Sequence, residues 1–146
     1  MNIVKSVQSY LFAFFAGMFF LTYLLNIPAI ITEKPDIVNE YYRTNYLTNI
    51  PLDCFFVLCY LLLAEYLSHL LKLKSNASKI AMVALTTAAL TTGFCYYFNK
   101  SPMDKSNFFS RWFHTVGYSS VVYDVLLLVF MYVVYLYMEK LTNKHA

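Results

Sequence analysis

The chain has 146 residues, enough for one domain, of which 60% are hydrophobic and 13% charged, with a net charge of +3. A soluble domain carries about 25% charged residues, and here the deficit is uneven: charges are swept into short segments between long apolar runs. That pattern marks an integral membrane protein, and the weak positive charge, with no Arg/Lys stripe set among aromatics, excludes a nucleic-acid partner.

A spanning helix needs about 20 mostly apolar residues. The first such run covers residues 7–31 and holds no charge. It is too long for the apolar core of a signal peptide and lacks a clear small-residue cleavage site, so it reads as a retained helix. Asn26 and Pro28 lie near its far end, where the proline is expected to kink the last turn. Residues 32–50 form a polar connection in which Tyr41, Tyr42 and Tyr46 suit the headgroup layer.

The second span is expected over residues 51–71, capped by Asn49 or Thr48, with Pro51 in the first turn. Asp53, in that first turn, is expected to face the headgroups and the positive end of the helix dipole. A short link bracketed by Lys72, Lys74 and Lys79 leads to the third span, residues 80–98. Ala81, Leu85, Ala89 and Gly93 recur every four residues along it, as do Ala84, Ala88 and Thr92. Small residues let helices approach closely in lipid, so this helix is expected to be the most buried. Ala13 and Gly17 give the first run a smaller version of the same surface.

Ser101, Pro102 and Asp104 carry the signals of a helix start. Phe108, Phe109, Trp112 and Phe113 then share one helical face, which predicts a short interfacial helix before the last span, residues 114–138. The start of that span is open between Trp112 and Tyr118, and Glu139, Lys140, Asn143 and Lys144 form a polar tail. The expected fold is therefore all-α: a four-helix transmembrane bundle forming one domain over residues 1–146. Lysines 5, 72, 74, 79, 140 and 144 fall on one side, against Lys34, Arg43, Lys100, Lys105 and Arg111 on the other. The positive-inside rule then sets both termini in the cytoplasm, by a margin of one residue.

Ionisable residues inside the bilayer are costly, about 2.5–3.5 kcal/mol on insertion scales, and so are the best functional hints. Asp124 lies roughly midway along the last span, and Ser120 flanks it on its face. Glu65 and His69 are four apart on one face of the second span. Depth estimates put Asp124, Glu65, Thr86 and Thr87 near one layer, a candidate buried polar site for protons or cations. The blander reading of the same residues is polar glue between helices, with at least one acid neutral. Arg111 and His114 form a second, interfacial set.

Other chemistry is poorly supplied. No Cys/His/carboxylate spacing matches a metal site, and there is no Gly-rich phosphate loop. No cofactor, metal or catalytic residue is therefore expected. Cys54, Cys59 and Cys95 read as small apolar packing residues.

Two stretches carry a resemblance: YLTNIPLDCFFVLCYLLLAE from Tyr46 to Glu65, and FFSRWFHTVGYSSVVYD from Phe108 to Asp124. Together they resemble small, uncharacterised multi-span membrane proteins of large DNA viruses of algae and protists. The resemblance implies a viral or host membrane and supplies no activity. The leading expectation is a structural or scaffolding membrane protein whose partners are the lipid bilayer and a second copy or other membrane proteins. The alternatives are a small proton or cation channel or transporter using Asp124 and Glu65, and a lipid-acting enzyme using Arg111, His114 and Asp124.

Overall fold

The computed structural model describes residues 3–144. These form seven α-helices: α1 (Ile3–Gly17), α2 (Ile27–Thr32), α3 (Pro35–Asn39), α4 (Tyr46–Leu70), α5 (Asn76–Asn99), α6 (Phe108–Val116) and α7 (Ser119–Lys144). Wider π-helical turns extend α1 over Met18–Leu24 and α3 over Glu40–Thr44. Four elements are long and apolar enough to cross a membrane: Val4–Leu24, Tyr46–Leu70, Asn76–Asn99 and Ser119–Thr142. No β-strand occurs among the described residues. The long helices alternate in direction. One end of the bundle carries the α4–α5 link, and the other is covered by α2, α3 and α6, and is called the capped end below.

The first run does not continue to residue 31. It stops at Leu24, because Asn26 adopts a left-handed conformation (φ 51°) and Pro28 opens a new helix. Asparagine tolerates that conformation better than most residues, and proline suits a first turn but cannot donate into a preceding one. The break turns α2 back against α7.

The helix containing Pro51 starts earlier than expected, at Tyr46, and holds the proline in its interior. Asn49 does not cap it; its side-chain amide donates to the Tyr41 carbonyl at 3.1 Å, pinning the preceding π segment to α4. The link before α5 behaves as a cap should, with Ser75 Oγ accepting from the Ser78 N–H at 3.1 Å.

Residues 101–104 do not begin a helix. Asp104 instead accepts from the Ser106 N–H at 2.9 Å and from its hydroxyl at 2.6 Å, a side-chain turn that competes with helix formation. The cap of α6 is Asn107, which accepts from the Ser110 N–H at 3.1 Å. Helix α6 ends at Gly117, whose φ of 58° and ψ of −141° are open only to glycine, and α7 begins beyond it at Ser119. The last helix thus starts later than the sequence placed it and absorbs the polar tail, running to Lys144.

Helix α7 is the hub, touching α1, α2, α4, α5 and α6. Its inner stripe, Ser120, Tyr123, Leu127, Leu128, Met131 and Tyr132, is almost wholly buried. The expectation that the third long helix is the most buried fails. The first has 39% of its most apolar window buried, against 28% for α5. The small-residue stripe of α5 faces outward: Ala81, Ala89 and Gly93 are exposed, and Leu85 is 65% exposed. The inward face uses Val83, Thr86, Thr87, Thr91 and Cys95 instead. Burial and the single bond from Thr91 to Asp124, rather than residue size, decide which way α5 turns.

The two helical glycines in the long elements therefore have different roles. A methyl group on Gly17 would lie 2.6 Å from Met131 Cγ, whereas one on Gly93 meets nothing within 4 Å. Gly17→Ala should destabilise the bundle by about 1–3 kcal/mol through overpacking, while Gly93→Ala should be neutral or slightly stabilising. Thermal unfolding of both variants in detergent tests this; equal effects would contradict the packing described.

Candidate functional site

The chemistry-bearing residues gather at the capped end. Adjacent Tyr41 and Tyr42 in the π segment are both buried and aim at different partners. Tyr41 stacks obliquely on Trp112 at 4.8 Å and Phe108 at 5.3 Å, while Tyr42 meets the edge of Tyr123 at 6.2 Å. From the other side, Phe113 of α6 lies parallel to Phe98 at 5.2 Å and to Phe94 at 6.3 Å. The α6 face read from the sequence is the buried face, but it packs on aromatic side chains of the bundle.

These rings line a half-open cavity of about 210 Å³ between α4, α5, α6, α7 and the π segment. Tyr60, Phe98, Trp112 and Phe113 wall it, and Asp124 supplies a carboxylate. Phe56 and Phe94, both partly exposed, meet edge to face at 6.2 Å at its rim. The Asp124 Oδ2 accepts from the Thr91 hydroxyl at 2.7 Å, which ties α7 to α5. Asp53 sits alongside. It does not face the headgroups as the sequence suggested: the Tyr41 hydroxyl donates to its Oδ1, and its Oδ2 is enclosed with no partner. Among the described residues, no Lys, Arg or His forms an ion pair with Asp53 or Asp124.

The expected single polar layer does not form. Glu65 accepts from the Tyr132 hydroxyl and lies 3.5 Å from Lys79 Nζ, with the two charged side chains 39% and 31% exposed. Eight residues of α7, about 12 Å, separate Tyr132 from Asp124. The depth estimate failed because both helices start elsewhere than the sequence indicated, α4 earlier and α7 later. His69 is exposed, and the polar partners of Glu65 are Tyr132 and Lys79 instead. Thr86 and Thr87 are buried, but their hydroxyls meet no partner. Ser120 sits one turn from Asp124, where its hydroxyl donates to the Gly117 carbonyl at 2.7 Å and lies 3.3 Å from Cys95 Sγ.

Arg111 and His114 do not converge either. The guanidinium of Arg111 grips Glu40 with two bonds, 2.8 Å from Nη1 and 2.6 Å from Nη2, and lies over the Phe108 ring at 5.3 Å. His114 lies between two backbone carbonyls, with Nδ1 2.8 Å from that of Ser110 and Nε2 3.0 Å from that of Ser101, and the neutral ring donates to one of them. Both residues fasten the cap. Asp53, Tyr41 and Tyr60 were missed as site residues. The signal was present in the 41–60 stretch, but only a fold that lays the π segment over α4 brings them together. Among the described residues, no group of three or more His, Cys, Asp or Glu could hold a metal ion. No protein-family model, curated protein or solved structure matches the chain.

The two tyrosines and the clamp also have electrostatic consequences. Burial, reinforced by the Asp53 carboxylate, pushes the Tyr41 phenol well above its usual range, so it stays a donor. The Arg111 bonds hold the Glu40 carboxyl below its usual range. A carboxylate with a depressed pKa contributes stability above its ordinary range that is lost as pH falls through the folded value. Acidification from pH 7 to 3 should therefore loosen α6 and shift the emission of Trp112, the single tryptophan, to the red. Arg111→Gln should be red-shifted already at pH 7 and lose that part of the response. An unshifted variant with an intact acid response would contradict the clamp.

Proposed function

We propose that the chain is a multi-pass integral membrane protein with a non-enzymatic, structural role. The setting its resemblance implies is a viral or host membrane, with both termini cytoplasmic by the lysine distribution. One observation carries the reading: polar side chains pair across helices at two separate levels, one around Asp124 and one around Glu65. Asp124 with Thr91, Thr22 with Tyr123 at 2.7 Å, and Glu65 with Tyr132 each join two helices. Between the Asp124 and Glu65 layers lie buried Leu61, Ala64, Val83, Leu128 and Met131. The hydroxyls of Thr86 and Thr87 fall in this interval, but two groups without polar neighbours do not make a proton wire. Pairs of this kind hold helices together where lipid gives no hydrophobic drive for association.

Purified protein in liposomes should show no proton or cation flux above that of protein-free vesicles, with or without Asp124→Asn and Glu65→Gln. Flux that either substitution abolishes would replace this reading with the transport one. Asp124→Leu, which leaves the Thr91 hydroxyl unpaired, should cost about 1 kcal/mol of bundle stability. Asp124→Asn, which can still accept that bond, should cost less. Thermal unfolding in detergent separates the two.

A further inference from the structure

We propose that the aromatic cavity at the capped end binds a lipophilic organic cation, an ammonium group carrying apolar substituents, with Asp124 as its counter-charge. Three observations lead there. The walls are rings: Tyr60, Phe98, Trp112 and Phe113 line the space, and ring faces attract cations that are poorly hydrated. The floor holds a carboxylate whose hydrogen bond comes from the neutral Thr91 hydroxyl. No basic side chain among the described residues forms an ion pair with Asp124. A fully apolar occupant would leave that negative potential unanswered, and an anion would be repelled by it. A small inorganic cation would lose its water in exchange for ring faces and one carboxylate, too few oxygen ligands for a hard ion. An alkylated ammonium gives up little hydration and matches both the rings and the charge. The rim formed by Phe56 and Phe94 is partly exposed, so a ligand that partitions into the bilayer has a way in.

The site is independent of the structural role proposed above, because it needs no pathway through the bundle. The ammonium could belong to a free amphiphile or to a choline lipid headgroup, and the chemistry of recognition is the same.

Trp112 lines the cavity and is the only tryptophan, so it reports occupancy directly. The full chain in phosphatidylglycerol liposomes would be titrated with an alkyltrimethylammonium amphiphile and with its neutral isostere, in which a tert-butyl group replaces the ammonium. Wild-type protein should show a saturable change in Trp112 emission with the cation, and at least tenfold weaker binding of the isostere. Asp124→Asn should weaken cation binding at least tenfold and leave isostere binding unchanged. Phe98→Leu should weaken it severalfold, with Phe98→Tyr restoring it. Equal binding of cation and isostere to the wild type overturns the proposal, whatever the variants do. So does a folded Asp124→Asn protein, with unchanged helicity and melting, that binds the cation as tightly as the wild type. Repeating the titration in phosphatidylcholine liposomes distinguishes the source. Competition by the bulk lipid identifies a choline headgroup as the occupant, and undiminished affinity identifies a free amphiphile; both outcomes support a cation site.

Discussion

The hydrogen bond from Thr91 to Asp124 joins the two helices that share the broadest packing in the bundle, and much of the capped end is arranged around it. In an apolar surrounding, a carboxyl group must find a donor or be excluded, because an unpaired polar group there costs several kcal/mol. Asp124 therefore fixes the rotation of α7 about its axis. With that rotation set, Tyr123 points to Thr22 on the first long helix, Leu127 and Leu128 point to the interior, and Ser120 meets Cys95. The same bond orients α5, which turns Thr86, Thr87 and Thr91 inward and leaves Ala81, Ala89 and Gly93 outside.

The capped end follows from a second constraint, the backbone breaks. Asn26, Pro28 and Gly117 stop helices at points where the chain must fold back over the bundle. The returning segments are short, and in the π segment and α6 most of the apolar side chains are aromatic. Large rings bury much area per residue and prefer tilted or edge contacts over close stacking of every face. The tilted rings and the short segments that carry them leave space between them, and the aromatic cavity is that space.

The four membrane-length helices and the short helix before the last were legible in the sequence, because length, apolarity and the 108–113 aromatic face are local properties. What was not legible depended on partners. Pro51 reads as a helix start until Asn49 is seen bonded to Tyr41, and Asp104 reads as an N-terminal acid until Ser106 is seen donating to it. Errors of a few residues at two helix starts then grew into an error of layer for Glu65 and Asp124. The Ala81–Gly93 stripe misled for a different reason: small residues permit close packing but do not compel it, whereas a threonine hydroxyl facing a carboxylate does. Asp53 was placed by its position in a first turn, and only the return of the π segment moves it inside.

The π-helical turns have a consequence for how the chain tolerates change in length. In both, the backbone bonds skip one residue more than in an α-helix, as in Leu25 N–H to Phe20 and Asn45 N–H to Glu40, at 3.0 and 2.9 Å. Each such stretch behaves like an α-helix carrying an extra residue. Removing one residue from Met18–Leu24 would restore regular geometry and leave the turns on either side in their present register. Removing one from the regular turns of Ile3–Gly17 would instead rotate everything before it by about 100° relative to Thr22. The wide turns thus hold a surplus residue without disturbing the faces on either side of them, and a single-residue deletion should be tolerated better there than in the body of α1.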